Sequence, residues 1–147
     1  MKLCILGGGG SRAILLVKSL LQQASELGIK EIVFMDNNEE GLRIFGGMAQ
    51  KAASIINPDV QVSCTGDAVS AISGSDYVIT TIREGGDAER VRNERIALKH
   101  GVLGQETTGA GGFAMAAKTI PALQKYCAQI REHAKKDVMV FNFSNPS

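Results

Sequence analysis

The segment from Leu3 to Ala13 restricts the fold more than any other part of the chain. It reads Leu-Cys-Ile-Leu, then four glycines, then Ser-Arg-Ala. An apolar run, a glycine turn and the start of an amphipathic helix succeed one another as in a dinucleotide-binding unit. Gly8-x-Gly10-x-x-Ala13 fits the Gly-x-Gly-x-x-Gly/Ala fingerprint. In that pattern the first glycine makes the tight turn, the second lets the backbone approach a pyrophosphate, and the third position needs only a small residue. Four consecutive glycines satisfy several registers and equally suit a flexible loop, so the segment gains meaning only from the pattern of the remaining chain.

That pattern alternates between helix and strand. Lys2–Leu6 reads as a buried strand. Ala13, Leu16, Val17, Leu20, Ala24 and Leu27 then recur at helical spacing, and Gly28 closes that helix. A second apolar run, Glu31–Met35, ends at Asp36. A carboxylate there accepts hydrogen bonds from the adenosine ribose hydroxyls and repels the extra phosphate of NADP; it equally suits the cap of the helix that Asn37-Asn38-Glu39-Glu40 begins. The pattern is helical from Glu39 to Ile56, with Leu42, Phe45, Ala49, Ala52, Ala53 and Ile56 on one side, and Asn57-Pro58-Asp59 stops it. Strands are predicted at 60–64, 77–82 and 137–143, and helices at 68–72, at 87–99 and from Phe113 onward. The 87–99 helix carries only Ala88, Val91 and Leu98 as a thin apolar stripe. The last helix is expected to break or kink near Pro121 and to turn Leu123, Cys127 and Ile130 inward. This order predicts an α/β fold in one domain over residues 1–147: a Rossmann-like, doubly wound parallel sheet with helices on both faces.

Composition narrows the partner. Sixteen basic and fifteen acidic residues leave a net charge of +1, which gives no basis for nucleic acid or an anionic membrane surface. A small-molecule partner is expected. The absence of a long apolar run and of a signal-peptide pattern predicts a soluble, cytoplasmic protein. Cys4, Cys64 and Cys127 are odd in number, widely separated and set among apolar residues, as buried thiols are, and argue against a disulfide framework or a zinc site. His100 and His133 read as surface-helix residues.

Two glycine-rich stretches remain to be explained. Arg83-Glu84-Gly85-Gly86 comes after the fourth strand at the carboxyl edge of the sheet, where ligands bind in open α/β folds. The stretch 101–112 sets five glycines around Gln105, Glu106, Thr107 and Thr108, which suits a substrate-facing loop or a plain solvent loop.

Taken together, Gly8-Gly9-Gly10-Ser11, Ile82-Arg83-Glu84-Gly85-Gly86, the run from Leu98 through Gly104-Gln105-Glu106-Thr107-Thr108-Gly109 to Ala114, and Asn142-Phe143-Ser144-Asn145-Pro146 resemble the NAD-dependent glycosidases of glycoside hydrolase family 4. The resemblance covers essentially the whole chain but only the first part of the family's longer polypeptide. It implies hydrolysis of O-glycosidic bonds, with 6-phospho-glucosides as the default substrates, by a redox-elimination route outside the two-carboxylate scheme. In that route NAD takes hydride from the sugar C3 and returns it, the C2 proton is removed, and the aglycone leaves C1. A divalent metal, manganese, polarises the C2 and C3 oxygens.

Residue by residue, the resemblance assigns Gly8, Gly10 and Ser11 to the pyrophosphate and Asp36 to the ribose, with Arg12, Thr81 and Arg83 also on the cofactor. Arg90 would face the phosphate of a 6-phospho-sugar, Glu106 the reacting sugar, and Asn145 the substrate hydroxyls. The metal ligands and the tyrosine base are expected beyond Ser147, so this chain by itself is expected to bind NAD without turnover, and the full-length enzyme to be a homo-oligomer. There are departures: Asn93-Glu94 replaces a commoner Asp-Glu pair, Ala97 a frequent proline, and Arg12 a small or hydroxyl residue, while Asp87 and Glu89 flank Arg90 with negative charge. Two alternatives stand beside this reading: a non-enzymatic NAD-binding or redox-sensing module, and a fragment of a lactate/malate-type 2-hydroxy-acid dehydrogenase, which the Asn-Pro after the fifth strand also suits.

Overall fold

The computed structural model describes residues 1–144. Five strands, β1 (Lys2–Leu6), β2 (Glu31–Met35), β3 (Gln61–Thr65), β4 (Tyr77–Thr80) and β5 (Met139–Asn142), form one sheet in the order β3-β2-β1-β4-β5, every pair parallel. Between them lie helices α1 (Ser11–Leu27), α2 (Glu39–Gly41), α3 (Gly47–Ile56), α4 (Ala68–Ile72), α5 (Gly86–Lys99) and α6 (Gly109–His133). This is the Rossmann-like arrangement that the alternating pattern predicts. The chain groups into two compact units: Met1–Thr81 with Gln129–Asn142, and Ile82–Ala128 with the segment from Phe143.

In the first unit β1 and β2 sit in the middle of the sheet, so their side chains are covered on both faces and read as unbroken apolar runs. Leu3, Ile5, Ile32, Phe34 and Ile79 pack with Ala13, Val17, Leu21 and Ala24 of α1 and with Ala49 and Ala53 of α3 in one core. Each large side chain buried there contributes roughly 1.5–3 kcal/mol. Helix α1 stops as its sequence demands. Gly28 takes the left-handed conformation (φ 68°), and the Ile29 N–H returns to the Ala24 carbonyl at 2.8 Å. Asp67 caps α4 by accepting from the Val69 and Ser70 N–H groups.

The 39–56 helix is predicted as one element, and it forms with a π-helical turn (Leu42–Gly46) between α2 and α3. At the end of that turn Gly46 lies so close to Cys64 Sγ on β3 that no side chain fits. The outer strand β5 differs from the inner ones: Met139, Val140 and Phe141 remain about half exposed.

Three expectations are corrected. Helix α6 runs from Gly109 without a break through Pro121, so the glycine-rich loop ends four residues earlier than its composition suggests. Cys127 on that helix is exposed and Cys64 half-buried, leaving only Cys4 enclosed. On α5 the residues turned away from solvent are Asn93 and Ala97, whereas Ala88, Val91 and Leu98 are not buried. The apolar stripe there was too thin to orient the helix. No described helix is long and apolar enough to cross a membrane.

Candidate functional site

In the first unit the loop after β1 is held on every side by its own backbone. The N–H groups of Gly7 and Gly8 both donate to the Met35 carbonyl at 2.9 Å. Gly7 has φ 92°, which only glycine adopts without strain, and a Cβ there would lie 2.7 Å from the Thr81 carbonyl. The Gly9 N–H donates to Asp36 Oδ2 at 2.8 Å, and a Cβ on Gly9 would stand 2.9 Å from that carboxylate. Gly10, by contrast, is the N-cap of α1 with extended angles, and a Cβ there would meet nothing nearer than the Gly7 carbonyl at 3.6 Å.

The positive φ therefore falls on Gly7, and a Cβ is excluded at Gly7, at Gly8 (2.8 Å from Phe34 Cδ1) and at Gly9, but not at Gly10. With Ala13 fully buried beneath the helix, the loop reads Gly7-x-Gly9-x-x-x-Ala13, one residue longer than the fingerprint. Within the loop the Gly8 N–H is spent on Met35, and the Gly10 N–H turns back to the Gly7 carbonyl at 3.3 Å.

The backbone donors left facing outward are those of Ser11 and Arg12. As the first residues of α1 they have no intrahelical acceptor, no side chain caps them, and the first turn holds no acid. A helix start of this kind, with its positive dipole end, suits a pyrophosphate. The side chains of Ser11 and Arg12 are exposed there. Asp36 at the end of β2 uses Oδ2 on Gly9 and Oδ1 on the Asn38 N–H (2.9 Å). Each oxygen keeps a second lone-pair direction for a ribose hydroxyl. Asp36 is not the cap of the next helix; Asn38 is, its side chain accepting from the Gly41 N–H at 3.0 Å. Thr81 points its hydroxyl at the Leu6 and Gly7 carbonyls (3.3 and 3.1 Å), bracing the turn from the other side.

The second unit gathers the charged candidates. Arg83 forms an ion pair with Glu106, each side chain about one quarter exposed. Arg90 donates to Glu94 at 3.0 Å, one turn along α5, and lies 3.6 Å from Asp87. The Glu94 hydrogen bond and charge, with smaller contributions from Asp87 and Glu106, raise the Arg90 pKa further above its ordinary value. Glu89 pairs with Lys118 of α6, whose hydrogen bond holds the Glu89 carboxyl below the usual carboxylate range.

The loop that delivers Glu106 is close-packed rather than loose. A Cβ on Gly104 would lie 2.6 Å from the Glu94 carbonyl, and Gly112 comes as near to the Thr107 carbonyl. The Ile82 N–H donates to Ser144 Oγ at 3.2 Å. Asn145 lies outside the described residues. Sequence reasoning gave no separate role to Gly7, Gly9, Asn38 or Glu94; the i, i+4 spacing of Arg90 and Glu94 was the one readable signal among them.

The chain matches the family 4 glycosyl hydrolase model over residues 2–147. It belongs to glycosyl hydrolase family 4. The 6-phospho-beta-glucosidase BglT of Thermotoga maritima is 33% identical over 147 residues, 100% of this chain and 34% of that protein. A 6-phospho-alpha-glucosidase from gut microorganisms, crystallised with NAD and glucose-6-phosphate, superposes with a TM-score of 0.94 at 34% identity, over 99% of this chain and 33% of that one. A 6-phospho-alpha-glucosidase structure from the same kind of source, with NAD and Mn2+, gives 0.92 at 30% identity, over 99% and 33%. Malate dehydrogenase of Naegleria fowleri gives 0.74 at 14% identity, a likeness of fold alone, so the dehydrogenase alternative gains nothing beyond architecture.

This family 4 chain spans about a third of the length of the relatives it matches. Its residues fit NAD on geometry of their own: the Gly7–Gly9 turn that no Cβ can occupy, the open N–H groups of Ser11 and Arg12, and the Asp36 carboxylate. Among the described residues no group of three or more His, Cys, Asp or Glu side chains is placed to hold a metal ion.

Proposed function

We propose that this chain is the NAD-holding portion of a 6-phospho-glycosidase of family 4, working in the cytoplasm as part of a homo-oligomeric enzyme. The observation that carries the reading is the cradle of the first unit: an uncapped helix start beside a glycine turn, with a carboxylate at the end of the neighbouring strand. Ser11 and Arg12 offer backbone N–H groups to the pyrophosphate, and the Arg12 guanidinium lies on the same turn to add charge. Asp36 accepts from the adenosine ribose and opposes a 2′-phosphate, which selects NAD over NADP. NAD, when bound, supplies the hydride acceptor of the reaction.

The charged side chains of the second unit suit a phosphorylated sugar. Arg90 keeps donors beyond the one given to Glu94 and is suited to a substrate phosphate. Glu106, held by Arg83, presents a carboxylate oriented by an ion pair, suited to accept from a sugar hydroxyl. Asn145 is assigned to the substrate hydroxyls by the family resemblance alone.

The NAD- and glucose-6-phosphate-bound relatives support this reading. The test mixes the folded chain with NAD, Mn2+ and p-nitrophenyl 6-phospho-glucosides of either anomer. The expected result is NAD binding by calorimetry with no nitrophenol released. A folded chain that ignores NAD, or that hydrolyses these substrates unaided, overturns it.

A further inference from the structure

The turn after β2 closes a ring around Gly9. Gly9 is held at its N–H by Asp36 Oδ2, and Asp36 Oδ1 accepts from the Asn38 N–H. The Asn38 side chain accepts from the Gly41 N–H, and Gly41, which is buried, lies against the Gly9 carbonyl. A Cβ on Gly41 would sit on that carbonyl oxygen, nearer than any van der Waals contact permits. The two polar ends of the Gly9 peptide region are thus fixed by one short segment, Asp36-x-Asn38-x-x-Gly41: the N–H by a carboxylate, the carbonyl by a bare Cα.

We infer that Asn38 and Gly41 are positioning residues for the pyrophosphate loop, setting where Ser11 and Arg12 present their N–H groups. A Cβ on Gly41 displaces the Gly9 carbonyl, and with it Gly10 and the first turn of α1. The same carboxylate that receives the ribose is left in place, because Asp36 keeps its bond from Asn38. The ring therefore separates two parts of dinucleotide recognition that Asp36 alone would join.

This inference rests on the NAD-binding reading, and its test separates the two. Wild-type chain, Gly41→Ala and Gly47→Ala are each titrated with ADP by calorimetry and with adenosine by NMR, folding being monitored by circular dichroism. Gly47 is a helical glycine of the next segment with nothing within 4 Å of an added Cβ, and serves as the control. The expected result is a tenfold or greater loss of ADP affinity in Gly41→Ala, adenosine affinity within twofold of wild type, and no change for either ligand in Gly47→Ala.

Equal losses for ADP and adenosine, or no loss for either, overturn the inference. If Gly41→Ala does not fold, Asn38→Ala decides: it loosens the ring without adding bulk, and is expected to lower ADP affinity severalfold while sparing adenosine. Failure of the wild-type chain to bind ADP counts instead against the NAD-binding reading.

Discussion

Replacing Gly9 by alanine tests most sharply where the cofactor loop requires glycine. The new Cβ would stand 2.9 Å from Asp36 Cγ and from Oδ2, well inside ordinary contact. The loop has to retreat from the carboxylate, and the 2.8 Å bond from the Gly9 N–H to Oδ2 is lost with it. A hydrogen bond to a charged group contributes about 1.5–3 kcal/mol. On the proposed reading NAD binds the organised loop, so that energy is recovered only by reorganising it, and the dissociation constant rises by about 10- to 150-fold.

Gly10→Ala is the internal comparison. Its Cβ meets only an ordinary contact at 3.6 Å, and its backbone angles suit alanine. Loss of a glycine N-cap costs about 1 kcal/mol or less of helix stability, which shows in the melting temperature rather than in NAD affinity. Calorimetric titration of both variants with NAD, after melting curves show them folded, gives the answer. Gly10→Ala binding more weakly than Gly9→Ala would restore the Gly8-x-Gly10 register and refute a loop built on Gly7 and Gly9.

The thiols and the Asp76 carboxylate give two more outcomes. At pH 8 a thiol reagent is expected to modify Cys127 first and Cys64 more slowly, since burial raises the Cys64 pKa, and to reach Cys4 only on unfolding, since burial pushes its thiol up to about 12 against the opposing charge of Lys2; equal rates for all three by mass spectrometry contradict this. Asp76 accepts from Lys135 Nζ at 2.6 Å and from the Lys2 N–H at 2.7 Å, which lowers its pKa, the Lys135 bond most. A lowered folded-state pKa means stability present above the ordinary aspartate value of about 3.9 and lost as pH falls through the folded value. The melting temperature of Asp76→Asn should therefore lie below wild type at pH 7 and converge with it below about pH 4; a gap that widens on acidification contradicts the assignment.

The sheet was legible because parallel interior strands leave short apolar runs between helical patterns, and each of Lys2–Leu6, Glu31–Met35 and Ala68–Ile72 reads at its observed bounds. The place of Asp36 at the end of a strand was legible too. The features hidden from the sequence lie in contacts between segments far apart along the chain. Four identical residues give no internal register, and only Phe34, Met35, Asp36 and Thr81, folded against the loop, distinguish Gly7, Gly8 and Gly9 from Gly10. Pro121 suggested a break because its local cost is visible, whereas the packing that carries α6 through it is not. On α5 the charged side chains Glu89 and Arg90 find Lys118 and Glu94, pairings that a hydrophobic pattern does not encode.

The most direct measurement is a calorimetric titration of the folded chain with NAD and, separately, with NADP. The expected result is saturable binding of one NAD per chain, with NADP at least about tenfold weaker because Asp36 opposes its 2′-phosphate, and loss of NAD affinity in Asp36→Ala. Equal affinity for the two cofactors, or a folded chain that takes up neither, would contradict the assignment of this cradle to NAD.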